Sequence, residues 1–237
     1  MRIFNFDEID STSTFLKNLK EKNNYDIAIA KTQTLGKGRR GNKWFSEEGG
    51  AYFSFLLKED KNIDFNEYTR LPLVIGYSLM RSLENIEPQL NFMFKWTNDI
   101  YLLDKKISGI LVEKVEDFFI IGIGINFNNE IKKEVENIAT SMKKITLKEY
   151  NINEIIISII KNLKKDFNFY FSGNWEIILS ELNKKNYLYK KNVEIHFEKR
   201  EREEGIALEI DKSGQLFIKI NEIKKLFNIG EIHILKR

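Results

Sequence analysis

The chain has 237 residues, of which 42% are apolar and 31% charged, the balance of a globular protein with one large unit or a large and a small one. Basic and acidic residues number 38 and 35, a formal net charge of +3 that speaks against a broad nucleic-acid or membrane footprint and leaves room only for local basic patches. With no cysteine, a disulfide scaffold, a thiolate zinc site and a cysteine nucleophile are excluded.

The N-terminal MRIFNFDEID has no apolar run after a basic start, and no stretch nears the roughly 20 apolar residues that span a bilayer, so a cytoplasmic protein without a membrane segment is expected. Asp10, Ser11, Thr12 and Ser13 offer helix N-cap side chains, and Phe15, Leu16 and Leu19 follow at helical spacing. A buried strand is predicted over 26–31, a glycine-rich basic loop over 36–41 and a second strand over 51–57. Residues 71–83 fit a helix with Pro72 near its start, where a missing N–H costs little. Residues 91–96 alternate, so Phe92, Phe94 and Trp96 point one way while Met93 and Lys95 point the other. Strands over 106–115 and 118–127 flank an acidic turn at Glu116 and Asp117, which predicts a hairpin. Helices follow over 153–171 and 175–185.

After Tyr187 the pattern changes to short β runs at 192–197, 205–210, 215–220 and 231–235, with a turn at Lys212, Ser213 and Gly214. The boundary falls near residue 186, dividing a unit over 1–186 from a small all-β unit over 187–237. The fold class expected is α+β, a mixed or antiparallel sheet covered by helices on one face, with a small C-terminal β-barrel. The chain's histidines, His196 and His233, both fall in these late strands, which argues against a Ser–His pair and marks them as ordinary strand residues.

Four segments carry chemistry. Three of the 13 glycines lie within residues 36–41, interleaved with Lys37, Arg39 and Arg40. Glycine lets backbone N–H groups approach an anion, and the cations neutralise it, so the loop suits a phosphate or carboxylate; a flexible basic surface loop is the alternative. It lacks the spacing of a P-loop. Lys95 stands in mid-strand among aromatics and needs an anionic partner if buried; the alternative is the solvated face of an edge strand followed by an Asn98–Asp99 turn. Gly109 interrupts an apolar strand, and Gly122 and Gly124 clear one strand face for a flat ligand, or else mark a bulge or tight sheet packing.

Together, DSTS (10–13), GKGRRGNKW (36–44), FKWTNDIYL (94–102), KKISGILVE (105–113) and IGIGIN (121–126) resemble, in order and spacing, the motifs of biotin protein ligases. The resemblance is strong over about 10–127 and continues weakly into the β tail. It implies a class II synthetase-like catalytic domain with an SH3-like C-terminal domain. It also implies that biotin's carboxylate attacks the α-phosphate of ATP, with Mg²⁺ accompanying the nucleotide, and that a lysine of a biotin carboxyl carrier protein, an acetyl-CoA carboxylase subunit in the commonest case, then takes the biotin. By the same resemblance Ser11, Thr12, Ser13 and Gln33 line the biotin ring pocket. Lys37, Gly38 and Arg39 form the loop over biotin and the adenylate, and Lys95 reaches the carboxyl and phosphate oxygens; Lys95, Arg39 and Lys37 are thus the catalytic set. Arg40, Trp44, Asn98 and Asn126 match nucleotide-side positions, while Gly109, Ile110, Gly122 and Gly124 form a floor. Metal ligands are not implied.

Lys37 stands where arginine is usual, Ser13 where asparagine is frequent and Thr97 where proline is common. No segment before residue 10 could hold a helix-turn-helix, so a ligase-only form without DNA binding is expected, and an edge strand could support a homodimer. A lipoate or octanoate ligase of the same fold and a non-catalytic binding protein are the alternatives; lipoate-dependent activation would favour the first, while Lys95 with the Gly122/Gly124 face is more than the second needs.

Overall fold

The computed structural model describes residues 1–196, 202–228 and 231–235. Strand β1 (Ile3–Ile9), helix α1 (Thr12–Lys17) and strand β2 (Ile27–Gln33) open the chain. β3 (Ala51–Lys58), α2 (Phe65–Tyr68) and α3 (Leu71–Ile86) follow, then β4 (Phe92–Lys95), β5 (Asp99–Leu102), β6 (Lys105–Val115) and β7 (Phe118–Ile125). Three helices come next: α4 (Met142–Thr146), α5 (Ile152–Phe171) and α6 (Trp175–Lys184). The chain closes with β8 (Asn192–His196), β9 (Glu203–Ile210), β10 (Leu216–Ile220), β11 (Ile223–Phe227) and β12 (Glu231–Ile234). The sequence reading had β1, β5, β11, α2 and α4 in no element. The predicted end of β8, Phe197, lies outside the described residues.

Seven strands form the main sheet in the order β1-β2-β3-β7-β6-β5-β4. β1 pairs parallel with β2 across α1, and the other pairs are antiparallel. Alternation along β3 and β7 sends Phe53, Phe55, Ile121, Ile123 and Ile125 to one face, where α3 and α5 cover them with Val74, Leu79, Ile159, Leu163 and Phe167. Each such side chain contributes about 1.5–3 kcal/mol when fully buried. Asn151 caps α5: its Oδ1 accepts from Glu154 N and its Nδ2 donates to Glu154 Oε1 at 2.8 Å. Gly76 marks the crossing of α3 over β4: a Cβ there would stand 2.3 Å from the Phe94 ring.

On the opposite face α1 packs alone, burying Leu16 against Ala28, Leu56 and Ile120. The rest of that face is left for the site. The β4 edge is closed by the segment after α6, where Phe94 N donates to Lys185 O and Tyr187 N donates to Phe94 O, each at 2.8 Å.

The second sheet has five antiparallel strands in the order β11-β10-β9-β8-β12, as an SH3-like unit requires. Its apolar face, with Val193, Ile195, Ala207, Leu216 and Ile218, joins the main core cluster. The predicted turn at 212–214 is pinned by two indoles, with Trp175 Nε1 donating to Lys212 O at 2.7 Å and Trp96 Nε1 to Gly214 O at 2.9 Å. Among the described residues no helix is long and apolar enough to cross a membrane.

Candidate active site

The free face of the main sheet carries a neutral hydroxyl cluster beside a field of cations. Ser11 caps α1 and turns the chain so that Thr12 and Ser13 point at the sheet. Thr12 Oγ1 and Ser13 Oγ each share a hydrogen bond with Ser54 Oγ, at 2.7 and 2.9 Å. Gln33 Oε1 accepts from Thr12 N at 2.8 Å, and its Nε2 donates to Ser46 Oγ at 2.9 Å. Ser54 is wholly buried on β3 between Phe53 and Phe55. It belongs to the site, yet inside an apolar strand run it carries no motif.

Gly122 lies directly under this cluster, since a Cβ there would stand 2.8 Å from Ser13 Oγ. Gly109 and Gly124 face each other in the β6–β7 register. Over them lies the indole of Trp44, which a Cβ at Gly124 would meet at 2.5 Å and one at Gly109 at 3.0 Å. The glycine floor, expected to leave room for a flat ligand, is covered over Gly109 and Gly124 by the chain's own tryptophan. Ile110 departs from the expected floor. Its side chain joins the core cluster while its backbone lines the first cavity, the carbonyl accepting from Asn98 Nδ2 and the N–H donating to Asn98 O, each at 2.9 Å.

The basic loop is folded back on itself. Trp44 N donates to Gly36 O at 2.9 Å and Gly38 N to Asn42 O at 2.7 Å. Gly36 is required by that close approach, because a Cβ would come within 2.4 Å of Trp44 O. Gly41 has φ +76° in open space and supplies the turn itself. The loop's glycines thus serve different needs, close approach at Gly36 and a turn at Gly41. Arg39 NH1 donates to Asn98 Oδ1 at 2.8 Å and to Thr97 Oγ1, docking the loop on the β4–β5 turn.

Lys95 is half-buried at the end of β4, where its Nζ donates to Tyr101 Oη at 3.4 Å. Asn98 lies in the predicted turn, but Asp99 already opens β5 opposite Lys95. A β-bulge follows. Asp99 pairs with Gly109 and Ile100 with Ser108, whereas Tyr101 pairs with Lys106. Positions three apart on a regular strand point to opposite faces, so the bulge brings Lys106 onto the same face as Gly109. Its Nζ meets Asp99 Oδ1 at 2.8 Å and lies 5.2 Å from the Trp44 ring centroid. Lys106 is a site residue that periodicity assigns to the wrong face.

Three adjoining cavities result, each walled by Trp44 and Lys106. The first, about 50 Å³, holds Ser11, Thr12, Ser13, Gln33, Lys37, Gly38, Arg39, Asn98 and the three floor glycines. The second, about 160 Å³, holds Arg39, Arg40, Lys43, Lys95, Asn98 and Asp99, with His233 reaching in from β12. The third, about 150 Å³ and mostly apolar, holds Tyr101, Asn126, Ile131, Ile138 and Ala139. Asn126 is buried and spans two loops, donating to Thr140 O and accepting from Asn129 Nδ2, each at 3.1 Å. Lys95 thus lies apart from the hydroxyl cluster, and Asn126 apart from both. His196 and His233 are strand residues as predicted, with their rings 4.2 Å apart. No group of three or more His, Cys, Asp or Glu side chains suited to a metal occurs among the described residues.

Residues 5–128 match the family described as the Biotin/lipoate A/B protein ligase family. The bifunctional ligase/repressor BirA of Escherichia coli strain K12 is 32% identical over 242 residues, 95% of this chain and 72% of that protein. The biotin–[acetyl-CoA-carboxylase] ligase of Mycobacterium tuberculosis is 22% identical over 208 residues, 87% of this chain and 77% of that one. Among solved structures, the biotin protein ligase of Aquifex aeolicus in complex with biotin and ATP superposes with a TM-score of 0.89 at 31% identity, covering 100% of this chain and 99% of that one.

Proposed function

The chain belongs to the biotin/lipoate A/B protein ligase family, and from this premise we propose that it is an ATP-dependent biotin protein ligase acting on a biotin carboxyl carrier protein. The observation that carries the reading is the adjacency of a neutral hydroxyl cluster, a cationic cavity and an apolar cavity around Trp44. A uncharged bicyclic ring with a carboxylate tail, a triphosphate and a purine need such surfaces in that arrangement.

Thr12, Ser13 and Gln33, with Ser54, bind the polar ring of biotin above Gly122, and Ser11 holds the helix that presents them. A first cavity of about 50 Å³ has room for only a few water molecules. Biotin therefore enters as the loop of Lys37, Gly38 and Arg39 lifts and closes again over it. Gly109 and Gly124 let Trp44 lie flat between biotin and the nucleotide. Arg40, Asn98 and Asn126 serve the nucleotide side.

In the first step a carboxylate oxygen forms a bond to the α-phosphorus and the bond to pyrophosphate breaks. The carboxylate needs no base, because it is ionised at neutral pH. What it needs is cancellation of charge between two anions, and Lys95, Arg39 and Lys37 supply that as charge builds on the phosphoryl oxygens. In the second step a neutral carrier lysine attacks the acyl carbon, an amide forms, and AMP leaves with the former anhydride oxygen. The closed loop keeps water from the anhydride.

Mg²⁺ fits this site as a companion of the triphosphate. Asp99 is the one carboxylate lining the cationic cavity among the described residues, and Lys106 already pairs with it. Phosphate oxygens and water would then supply most of the coordination, as is usual for this ion. The division at residue 186 into a catalytic unit and a small β unit is part of the same reading, as is an acetyl-CoA carboxylase carrier.

The test is pyrophosphate release from Mg²⁺-ATP by purified protein with biotin, followed by addition of a biotin carrier domain. Biotin-dependent release and a mass gain on one carrier lysine are expected. Release with lipoate or octanoate and none with biotin would move the chain to the other branch of the family. No release with any of them would overturn the enzymatic reading.

A further inference from the structure

Lys95 has a neighbour within its own FKWTNDIYL segment whose role the chemistry above does not use. Its ammonium donates to Tyr101 Oη at 3.4 Å and lies 5.3 Å from the centroid of that ring. The β4–β5 register pairs Lys95 with Asp99 and Met93 with Tyr101, which puts Lys95 and Tyr101 diagonally across one face. Tyr101 is stacked in turn on Tyr187, with centroids 4.4 Å apart and planes at 27°. Lys191 Nζ stands 3.4 Å from the Tyr187 centroid, on a ring whose backbone N–H is fixed to Phe94 O. The result is a column of two stacked rings with a cation at each end, Lys95–Tyr101–Tyr187–Lys191, that runs from the site into the segment joining the two sheets.

The chemistry of the column suits a positioning task. A lysine on a four-carbon stem has many rotamers, and a cavity with several cations repels its ammonium. A tyrosine ring attracts the ammonium through its quadrupole and leaves the charge intact. Burial pushes the phenols of Tyr101 and Tyr187 well above the ordinary tyrosine value, so both stay neutral throughout the working range. Tyr101 also walls the apolar cavity that holds Asn126, while Lys95 lines the cationic one. Its ring therefore stands between the two and limits the directions open to Lys95.

We infer that Tyr101, backed by Tyr187, is a positioning residue that aims the Lys95 ammonium into the cationic cavity. This rests on the reading of Lys95 as the charge that meets the carboxyl and α-phosphate oxygens. The experiment compares Lys95→Ala, Tyr101→Phe, Tyr101→Leu, Tyr101→Met and Tyr187→Leu in biotin- and ATP-dependent pyrophosphate release, with kcat and KM determined separately. Tyr101→Leu is expected to lower kcat about three- to thirtyfold, the size of a partly shielded cation–π contact. KM for biotin should stay within about twofold, and Tyr101→Phe, which keeps the ring, should rescue most of the rate. Tyr187→Leu should fall between them. Tyr101→Met fills the space flexibly and replaces the Leu variant should that one fail to fold. A merely structural role predicts instead a lowered melting temperature, an equal effect on KM and no advantage for Phe over Leu. If Lys95→Ala abolishes release while Tyr101→Leu or Met keeps the full kcat, the inference is overturned and the reading of Lys95 stands. If Lys95→Ala itself leaves release unchanged, that reading falls and the inference with it.

Discussion

The two halves of the site are built by opposite means. The hydroxyl half is finished before any ligand arrives: Ser11 caps a helix, and Thr12, Ser13, Gln33 and Ser54 satisfy one another at 2.7–3.2 Å on rigid elements. The cationic half sits on a folded-back loop, a strand end and a bulge. Its charges are half-buried or exposed, and Lys106 is already committed to Asp99. A neutral ring is recognised by prepared hydrogen bonds at little electrostatic cost, whereas a set of like charges is stable only if water still reaches it in the unliganded state. Substitutions in the first half should therefore act on biotin affinity, and those in the second on rate.

The sharpest way to break this contrast is Lys95→Ala. Adenylation is expected to fall about 10²–10³-fold, the usual scale for losing one preorganised electrostatic group, with the circular dichroism melt unchanged. Equal loss of biotin affinity would merge the two halves. Arg39→Ala removes the donors that dock the loop on Thr97 and Asn98. Retention of the adenylate should drop about 10- to 100-fold, measured by trapping free biotinyl-AMP, since a charge-assisted hydrogen bond contributes about 1.5–3 kcal/mol.

At the seam between the halves, Gly124→Ala forces Trp44 off the floor. An overpacking cost of about 1–3 kcal/mol is expected in chemical denaturation, together with changed tryptophan fluorescence and weakened binding of both substrates. Ser54→Ala leaves Thr12 and Ser13 short of a partner. Biotin should bind about two- to tenfold more weakly in calorimetry, with kcat after saturation unchanged.

The smallest effect serves as a control away from the site. The Lys148 ammonium, with Tyr150 and Gln89, holds the buried Glu87 carboxyl below the ordinary glutamate value. A depressed carboxyl contributes stability that is present above its unfolded value and lost as pH falls through the folded one. Melting temperature should thus decline below about pH 4.3, the unperturbed glutamate value. Glu87→Gln should flatten that decline, lower stability at neutral pH and leave both halves of the site active.

The parts legible in advance were local. Helical spacing in 71–83 and 153–171, the 116–117 turn and the glycine-rich loop each depend on a few neighbouring residues, and the structure has α3, α5, a β6–β7 hairpin and the loop there. Even β1 alternates in IFNFDEI, but its partner β2 is parallel and arrives only after α1, so nothing nearby marks it as a strand. Ser54 is a lone polar residue in the apolar run AYFSFLL, and its partners, Thr12 and Ser13, lie on another element. Lys106 was hidden by the bulge, since strict alternation from Gly109 puts it on the wrong face.

Residue type and short-range order were enough to name part of the chemistry, cations with glycines for anions and bare strand positions for something flat, while the hydroxyls of 11–13 were tied to a neutral ring only by the family resemblance. They left open what would lie on those bare positions, which cations would share a cavity and which would be separated. Register, one bulge and the pairing of residues 185–187 with β4 settled those points. Strand pairing joins residues far apart in the chain, and its geometry depends on both partners at once. No window of neighbouring residues contains that information.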